Sequence, residues 1–234
     1  MQGKELGYDL SWCRIAMIIE MKHWDVSSGE AAFKVLQGEV RSSYSNPRNV
    51  VCFHENYRIT LLFAPSSAAG DSDVSEVAES LSSDLIKNLK CKDIDIDIAI
   101  GFPAKDLQGL ARSLRSARNV LRLARQLGAH GIITARSFTA ETLLDLLPHS
   151  QREEFAIGTL KNLIDRVDYE DIKETFLTWC ESPFASGEAA EKMSMHRNSL
   201  QYRLKKIRTL TGKDPWNFKD AFELWISFVL LDMK

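Results

Sequence analysis

A chain of 234 residues and 26.5 kDa exceeds one small module and suits two domains of roughly 100 to 130 residues each. Hydrophobic residues make up 44% and charged residues 26%, with 12 Gly and 6 Pro, a balance that excludes collagen-like, low-complexity and wholly disordered chains. Thirty Lys and Arg stand against 32 Asp and Glu, so binding to nucleic acid has to come from a local basic surface and not from overall basicity.

The four cysteines, Cys13, Cys52, Cys91 and Cys180, lie far apart, with no Cys-x-x-Cys pair and no Cys/His cluster at zinc spacing. Neither a structural zinc nor any other cofactor is expected. Three of the four sit in or beside apolar runs, which reads as reduced core thiols of a cytoplasmic protein. The stretch Met1 to Leu10 has no apolar run fit for a signal peptide, and nothing reaches the ~18 uninterrupted apolar residues of a membrane span. Secretion and a membrane partner are not expected.

In chain order, Trp12 to Glu20 reads as a buried strand, being apolar, partly β-branched and too short for a self-standing helix. Ser27 and Ser28 offer a cap for a helix over Glu30 to Glu39, with Ala32, Val35, Leu36 and Val40 on one face. Asn46-Pro47 breaks it. Asn49 to Phe53 and Arg58 to Phe63 are strand-like runs separated by His54-Glu55-Asn56-Tyr57, a loop length that suits an antiparallel hairpin. After the polar loop Pro65 to Asp73, Asp73 caps a helix to about Lys90 with Val74, Val77, Ala78, Leu81, Leu85 and Leu89 inward. Ile94, Ile96, Ile98 and Ile100 alternate with Asp95, Asp97 and Ala99, the period of a strand with one buried face. Asp106 to Leu127 follows as an amphipathic helix with Leu107, Leu110, Leu114, Ala117, Leu121 and Ala124 inward. The order β, α, β, β, α, β, α fits an α+β, ferredoxin-like plan with helices packed on one side of an antiparallel sheet.

This half offers no catalytic constellation. Asp95 and Asp97 share a strand face and could hold a metal, but carboxylates alternating with isoleucine also suit a half-solvated strand. Arg112, Arg115, Arg118, Arg122 and Arg125 recur at steps of three and four and could grip an acidic partner; the alternative is a solvated face with intrahelical pairing. His23, His54 and His130 are isolated, and no Gly-rich phosphate loop or nucleophile beside a base occurs.

Gly128, Gly131 and a short apolar tract mark a domain junction, giving a first domain over 1–130, a connecting segment over 131–147 and an all-α domain over 148–234. A short helix from Thr139 to Leu147 stops at Pro148. A second, about Gln151 to Leu163, buries Phe155, Leu160 and Leu163, and a third, about Tyr169 to Cys180, turns Ile172, Phe176 and Trp179 inward. Then Ser186 to Met193 forms a one-to-two-turn helix with a serine cap, Ser194-Met195 a turn, and His196 to Arg208 a second helix: helix-turn-helix spacing over about 186–208. Ala189 or Ala190 lets the helices cross closely, while Met195, Leu200, Leu204 and Ile207 seat the second on the first. The opposite face carries Arg197, Asn198, Ser199, Gln201, Tyr202, Arg203, Lys205 and Lys206, a set able to read base edges and bind phosphates. Between Ser186 and Arg208, six basic residues face two acidic ones, the footprint of a DNA reader in an acidic protein. A solvated basic helix on a helical bundle is the alternative.

The run Met195 to Ile207, followed by Leu210-Thr211-Gly212, resembles the H-R-N-T-L-x-Y-R-L-x-x-I…L-T-G signature that closes bacterial sugar-diacid and purine-catabolism regulators, the CdaR/PucR family. Ser199 stands where that pattern has Thr and keeps the hydroxyl. Phe222 to Leu230 looks like the closing helix of the same domain, and Ile100-Gly101-Phe102-Pro103 with the Leu110 to Leu127 helix resembles the end of the family's GGDEF-like domain. The resemblance implies a degenerate GGDEF-like, ferredoxin-like domain followed by a DNA-binding helix-turn-helix. His54-Glu55-Asn56-Tyr57-Arg58 occupies the hairpin where a diguanylate cyclase carries G-G-D-E-F, without the two glycines that let backbone approach phosphates. It also implies an N-terminal sensor segment, which is absent from this sequence.

The expectation is a transcriptional regulator and not an enzyme. Arg197, Asn198, Ser199 and Gln201 contact bases in the major groove of double-stranded DNA, and Arg203, Lys205 and Lys206 bind phosphates. The protein works as a homodimer under a small-molecule effector. The competing reading is a nucleotide-binding or cyclase-like enzyme whose helices mediate assembly.

Overall fold

The computed structural model describes residues 13–22, 29–65, 71–182 and 184–233, and the chain divides into two units, Met1–Thr142 and Leu143–Lys234. Trp12, His23 and the expected capping serines Ser27 and Ser28 lie outside the described residues.

The first unit runs β1 (Ile15–Met21), α1 (Gly29–Ser43), β2 (Val50–His54), β3 (Arg58–Phe63), α2 (Asp71–Lys90), β4 (Ile96–Ile100), α3 (Leu107–Gln126) and β5 (Ile132–Thr134). The sheet order is β2-β3-β1-β4-β5, with β1 antiparallel to β3 and β4, and β5 parallel to β4. The first four strands thus have the ferredoxin-like order. Because side chains alternate across a strand, Ile15, Met17, Ile19, Ile96, Ile98 and Ile100 form one core with Phe33, Leu36 and Val40 of α1 and Ala78, Leu85 and Leu89 of α2. Ile18 and Ala99 point the other way, into a second core with Ala117, Val120, Leu121 and Ala124 of α3. Helices therefore cover both faces of the sheet, not one as expected. Ile15, Ala16, Met17, Ile18 and Ile19, five consecutive apolar residues, are all buried, as a strand covered on both sides requires.

Other expectations need correcting. The tract at the assumed junction contains β5, held to the sheet by Ile98↔Ile132 to Ile100↔Thr134 pairing, and the division after Thr142 falls within the connecting segment expected over 131–147. A three-residue strand is too short to show a period. Val35, Val77 and Leu107 are exposed, and Phe33 takes the inner place on α1. Cys52 and Cys91 are exposed, one on the edge strand β2 and one just past α2, so the core-thiol reading fails for them. Helix α2 starts at Asp71, two residues before the expected cap Asp73.

Within Ile100-Gly101-Phe102-Pro103, position 101 admits no side chain. Its N–H donates to the Ala16 carbonyl at 2.9 Å, and a Cβ there would lie 2.1 Å from the Ser113 carbonyl oxygen of α3. Ser113 in turn accepts the Ala16 N–H on its Oγ at 2.9 Å. The end of β4 is thereby clamped against α3.

In the second unit, α4 (Thr139–Leu144) straddles the division, α5 (His149–Leu160) runs into a 3-10 turn (Lys161–Leu163), and α6 (Tyr169–Glu181), α7 (Ser186–Lys192), α8 (Arg197–Thr211) and α9 (Phe218–Asp232) follow. Leu160, Leu163, Ile172, Phe176, Trp179, Leu200, Leu204, Ile207, Leu224 and Phe228 form one core. Phe155, expected inside, is exposed on α5. No helix among the described residues is long and apolar enough to cross a membrane.

Candidate nucleic-acid interface

Helices α7 and α8 form the helix-turn-helix. Ala189 and Ala190, both buried, let α8 approach α7 closely. Met193, Ser194 and Met195 make the turn: their N–H groups donate to the carbonyls of Ala189, Glu191 and Ala190 at 3.1, 3.0 and 2.9 Å. Ser194 carries the sharp bend with φ 51°, in the left-handed region. Ser186 is the first residue of α7 and caps nothing; the N-cap is Ala185, without a side-chain bond. His196 caps α8, its Nδ1 accepting the Asn198 N–H at 3.1 Å, so the unprotonated nitrogen faces the helix. At the other end Gly212, at φ 76°, donates its N–H to the Arg208 carbonyl and stops the helix at Thr211, three residues later than expected.

The burial pattern fixes how α8 is turned. Leu200, Leu204, Ile207 and Thr211 are buried, so at 100° per residue the opposite stripe consists of Asn198, Tyr202, Lys205 and Thr209, all exposed. Arg197 and Ser199 are exposed near the start of the helix, and Gln201 is half-buried at the flank. Thr209 was missed by the sequence reading, which ended the helix at Arg208; its i+11 spacing from Asn198 is the signal that places it on this stripe.

Two of the expected phosphate binders point elsewhere. Arg203 reaches back to α6, donating to the Asp171 carbonyl at 3.1 Å and to Thr175 Oγ1 at 2.9 Å, and lies 3.5 Å from the Asp171 carboxylate. Lys206 is bound to the Asp168 carboxylate, which Arg166 also contacts at 2.8 Å. The Lys206 hydrogen bond, then that of Arg166, holds the Asp168 carboxyl down at about 2. Lys192 pairs with Glu188 at 3.1 Å and Arg208 with Asp214 at 3.2 Å. Of the six cations between Ser186 and Arg208, only Arg197 and Lys205 lack a carboxylate partner among the described residues. The free positive charge on α8 is therefore concentrated at its first turn and on the outward stripe.

Two carboxylates on the sheet of the first unit, Asp97 and Glu20, are committed to cations and amides. Asp97 is buried; its Oδ1 accepts the Gly131 N–H at 2.7 Å and lies 3.3 Å from Lys22 Nζ, while His130 Nδ1 stands 3.3 Å from Oδ2. Its neighbour across the sheet, Glu20, binds Arg58 of β3 at 2.7 Å and Arg125 of α3. Asp95 is exposed and precedes β4, so the two aspartates do not form a pair on one strand face. Among the described residues no three His, Cys, Asp or Glu side chains converge as metal ligands. The hairpin between β2 and β3 is a three-residue loop with Tyr57 left-handed at φ 56°, and His54 belongs to β2, opposite Arg58. On α3, a helix with five arginines and no acidic residue, intrahelical ion pairing is ruled out: Arg122 bonds Asn119 and Gln126, and Arg125 bonds Glu20.

Comparison with known proteins gives two matches along the chain. Residues 1–123 match the GGDEF-like domain, and residues 172–230 match the PucR C-terminal helix-turn-helix domain. The chain is 22% identical to the carbohydrate diacid regulator of Escherichia coli (strain K12), covering 97% of this chain and 60% of that protein. It is 25% identical to the proline-responsive transcriptional activator PutR of Bacillus subtilis (strain 168), covering 88% of this chain and 51% of that protein. The chain thus spans little more than half the length of these curated relatives. A solved structure, the regulator of polyketide synthase expression from Bifidobacterium adolescentis, aligns over 98% of this chain and 84% of its own at 19% identity, with a TM-score of 0.38.

Proposed function

The chain belongs to the PucR-type regulator family, a GGDEF-like domain joined to a PucR C-terminal helix-turn-helix, and from that premise we propose that it is a sequence-specific DNA-binding transcriptional regulator. The observation that carries the proposal is the exposed stripe Asn198, Tyr202, Lys205 and Thr209 on a helix whose opposite stripe is wholly buried. A helix so seated can enter a major groove about 12 Å wide and offer amide, hydroxyl and ammonium groups to base edges and phosphates. Arg197, Asn198 and Ser199, on the first turn, reach the bases; Lys205 binds phosphate. Tyr202, on the outward stripe, faces the groove and Gln201 supplies a flanking contact, while Arg203 and Lys206 hold the helix in position.

The protein acts in the cytoplasm as a homodimer on two half-sites about one helical turn (~34 Å) apart. Its GGDEF-like unit serves regulation or self-association under a small-molecule effector, and does not catalyse. Glu20 and Asp97, the carboxylates best placed on the sheet, support this reading because arginine and lysine already neutralise them. The curated relatives bear the names of a regulator and an activator, and the proposal extends that role to this chain.

The test is selection of bound duplexes from a random library, followed by fluorescence anisotropy on the selected site with wild type and Arg197→Ala. The expected result is an enriched palindrome, with the substitution costing about 1–3 kcal/mol and relaxing one base position. No enrichment would overturn the DNA-binding reading. Turnover of a nucleoside triphosphate with Mg²⁺ would overturn the non-catalytic one.

A further inference from the structure

The first unit carries a basic face that its own fold leaves largely unpaired. Helix α3 holds Arg112, Arg115, Arg118, Arg122 and Arg125 and no acidic residue. Steps of three and four keep these arginines on one stripe, opposite the face that packs Ala117, Val120, Leu121 and Ala124 into the core. From Ala111 to Gln126, every exposed residue except Ala111 itself is an arginine. Arg125 pairs with Glu20 of β1, and Arg122 bonds Asn119 at 2.8 Å and Gln126 at 2.9 Å. Arg112, Arg115 and Arg118 make no hydrogen bond or ion pair among the described residues. Like charges three apart on a helix repel one another, so the fold itself gains nothing from placing them there.

We propose that this face of the GGDEF-like unit binds the phosphate backbone of duplex DNA without regard to sequence, through Arg112, Arg115 and Arg118. Charge and shape select a linear polyanion. The stripe from Arg112 to Arg125 runs about 20 Å at 1.5 Å per residue, and a duplex carries about 12 phosphate charges over that length. Guanidinium groups match phosphate oxygens with two parallel hydrogen bonds, which a lysine cannot do. The composition of the face speaks against other anionic partners. A specific interface with a protein, a second copy included, has an apolar centre depleted in charge, whereas this face exposes no apolar side chain larger than that of Ala111. A helix that lies on a membrane inserts its apolar side, and that of α3 is buried against Ile18, Ala99 and Ile133. A single strand is held by aromatic rings stacked on its bases, and none is exposed over 111–126. The face offers only charge and guanidinium geometry, which is what a duplex backbone takes.

The inference rests on the DNA-binding reading above and adds a contact in the unit that reading leaves off the DNA. Fluorescence anisotropy of the full chain on a scrambled duplex, at salt concentrations from 50 to 200 mM, compares wild type with the triple variant Arg112→Gln, Arg115→Gln, Arg118→Gln. The control is Lys34→Gln, Lys87→Gln, Lys90→Gln, which removes the same charge from exposed positions of α1 and α2, on the other face of the sheet. Glutamine suits a helix as well as arginine does, and thermal melting by circular dichroism verifies folding. The arginine variant should flatten the slope of log K against log salt by about 2.7 per protomer, so that wild type loses about 40-fold more affinity over this range than the variant does. The lysine control should keep the wild-type slope, and the arginine variant should select the same sequence as wild type from a random library. A wild type that does not bind the scrambled duplex, a slope unchanged in the arginine variant, or one flattened equally by the lysine control would overturn the proposal. Loss of poly-glutamate binding in the arginine variant, with the duplex slope unchanged, would assign the face to an acidic protein segment instead. If no sequence is selected yet the arginine variant alone flattens the slope, the sequence-reading proposal falls and this one stands; a selected sequence with an unchanged slope does the reverse.

Discussion

Adjacent lysines on α8 should behave oppositely in DNA binding, although the sequence gives them the same role. Lys205 is exposed on the outward stripe with no carboxylate partner among the described residues; Lys206 is tied to Asp168. Each phosphate neutralised contributes about 0.9 to the slope of log K against log salt. Lys205→Ala should therefore flatten the slope by about 0.9 per protomer. Between 50 and 200 mM salt, a fourfold change, wild type then loses about 3.5 times more affinity per protomer contact than the variant. The melting temperature should not move, because an exposed lysine without a partner contributes nothing to the core. Lys206→Ala should do the reverse. It removes the ion pair that fixes one edge of α8, lowers the melting temperature, and leaves the salt slope at the wild-type value. Fluorescence anisotropy on the selected duplex at four salt concentrations, paired with thermal melts, separates the two. If Lys206→Ala flattens the slope as much as Lys205→Ala does, the assignment of Lys206 to a structural clamp is wrong.

Four further outcomes follow from the geometry. Gly101→Ala should destabilise the first unit by about 1–3 kcal/mol, since its Cβ would meet the Ser113 carbonyl at 2.1 Å; denaturant unfolding checks it, and a neutral result would mean α3 is free to move away. Ser194→Gly should stabilise the second unit by about 0.5–1 kcal/mol, because a left-handed residue at φ 51° costs an L side chain more than the added chain entropy of glycine. Asp168→Asn should lower stability at neutral pH, and the difference should shrink below pH 3.8 and vanish only below pH 2. The folded carboxyl is depressed to about 2, so its stabilisation is present above the ordinary 3.8 and is lost as pH falls through 2; urea melts across that range read it. Iodoacetamide should label the exposed Cys52 and Cys91 before Cys180, since burial, then the charge of Glu181, pushes the Cys180 thiol up to about 12; peptide mass spectrometry at pH 8 gives the order.

Much of this fold is written as local pattern. Arg58 to Phe63 is a strand with the boundaries its residues suggest, and the long helix beginning at Asp106 is capped by that residue, whose carboxylate accepts the Gly109 N–H at 2.5 Å. What local pattern does not contain is the second cover of the sheet. The Ile/Asp alternation of β4 suggests a solvated face, yet Asp97 lies under the sheet's second layer because Lys22, His130 and the Gly131 N–H solvate it there. A buried carboxylate satisfied by partners that lie far off in sequence looks, in sequence, like an exposed one. Strand β5 escaped for a related reason: its place at the edge is set by β4, 32 to 36 residues earlier, and not by anything in its own three residues.

The candidate site shows the same division between what is local and what is not. Helix-turn-helix spacing, the apolar stripe Leu200, Leu204 and Ile207, and the polar character of the other face are all local, and the structure has them. Charge is not local. Counting six cations against two carboxylates between Ser186 and Arg208 leaves out Asp168 and Asp171, which lie 15 or more residues upstream and bind two of those cations. These pairs, being partly exposed, each add only a modest amount of stability, enough to read in a thermal or urea melt. Their consequence is directional. Arg203 and Lys206, three residues apart on one edge of α8, are anchored at the start of α6, and this fixes the rotation of the helix about its axis. With that edge held and Leu200, Leu204 and Ile207 buried, Asn198, Tyr202, Lys205 and Thr209 have to face outward. Two of the three cations that sequence assigns to phosphate are thus the ones that aim the helix, and, among the described residues, Arg197 and Lys205 are left free for the DNA contacts proposed above.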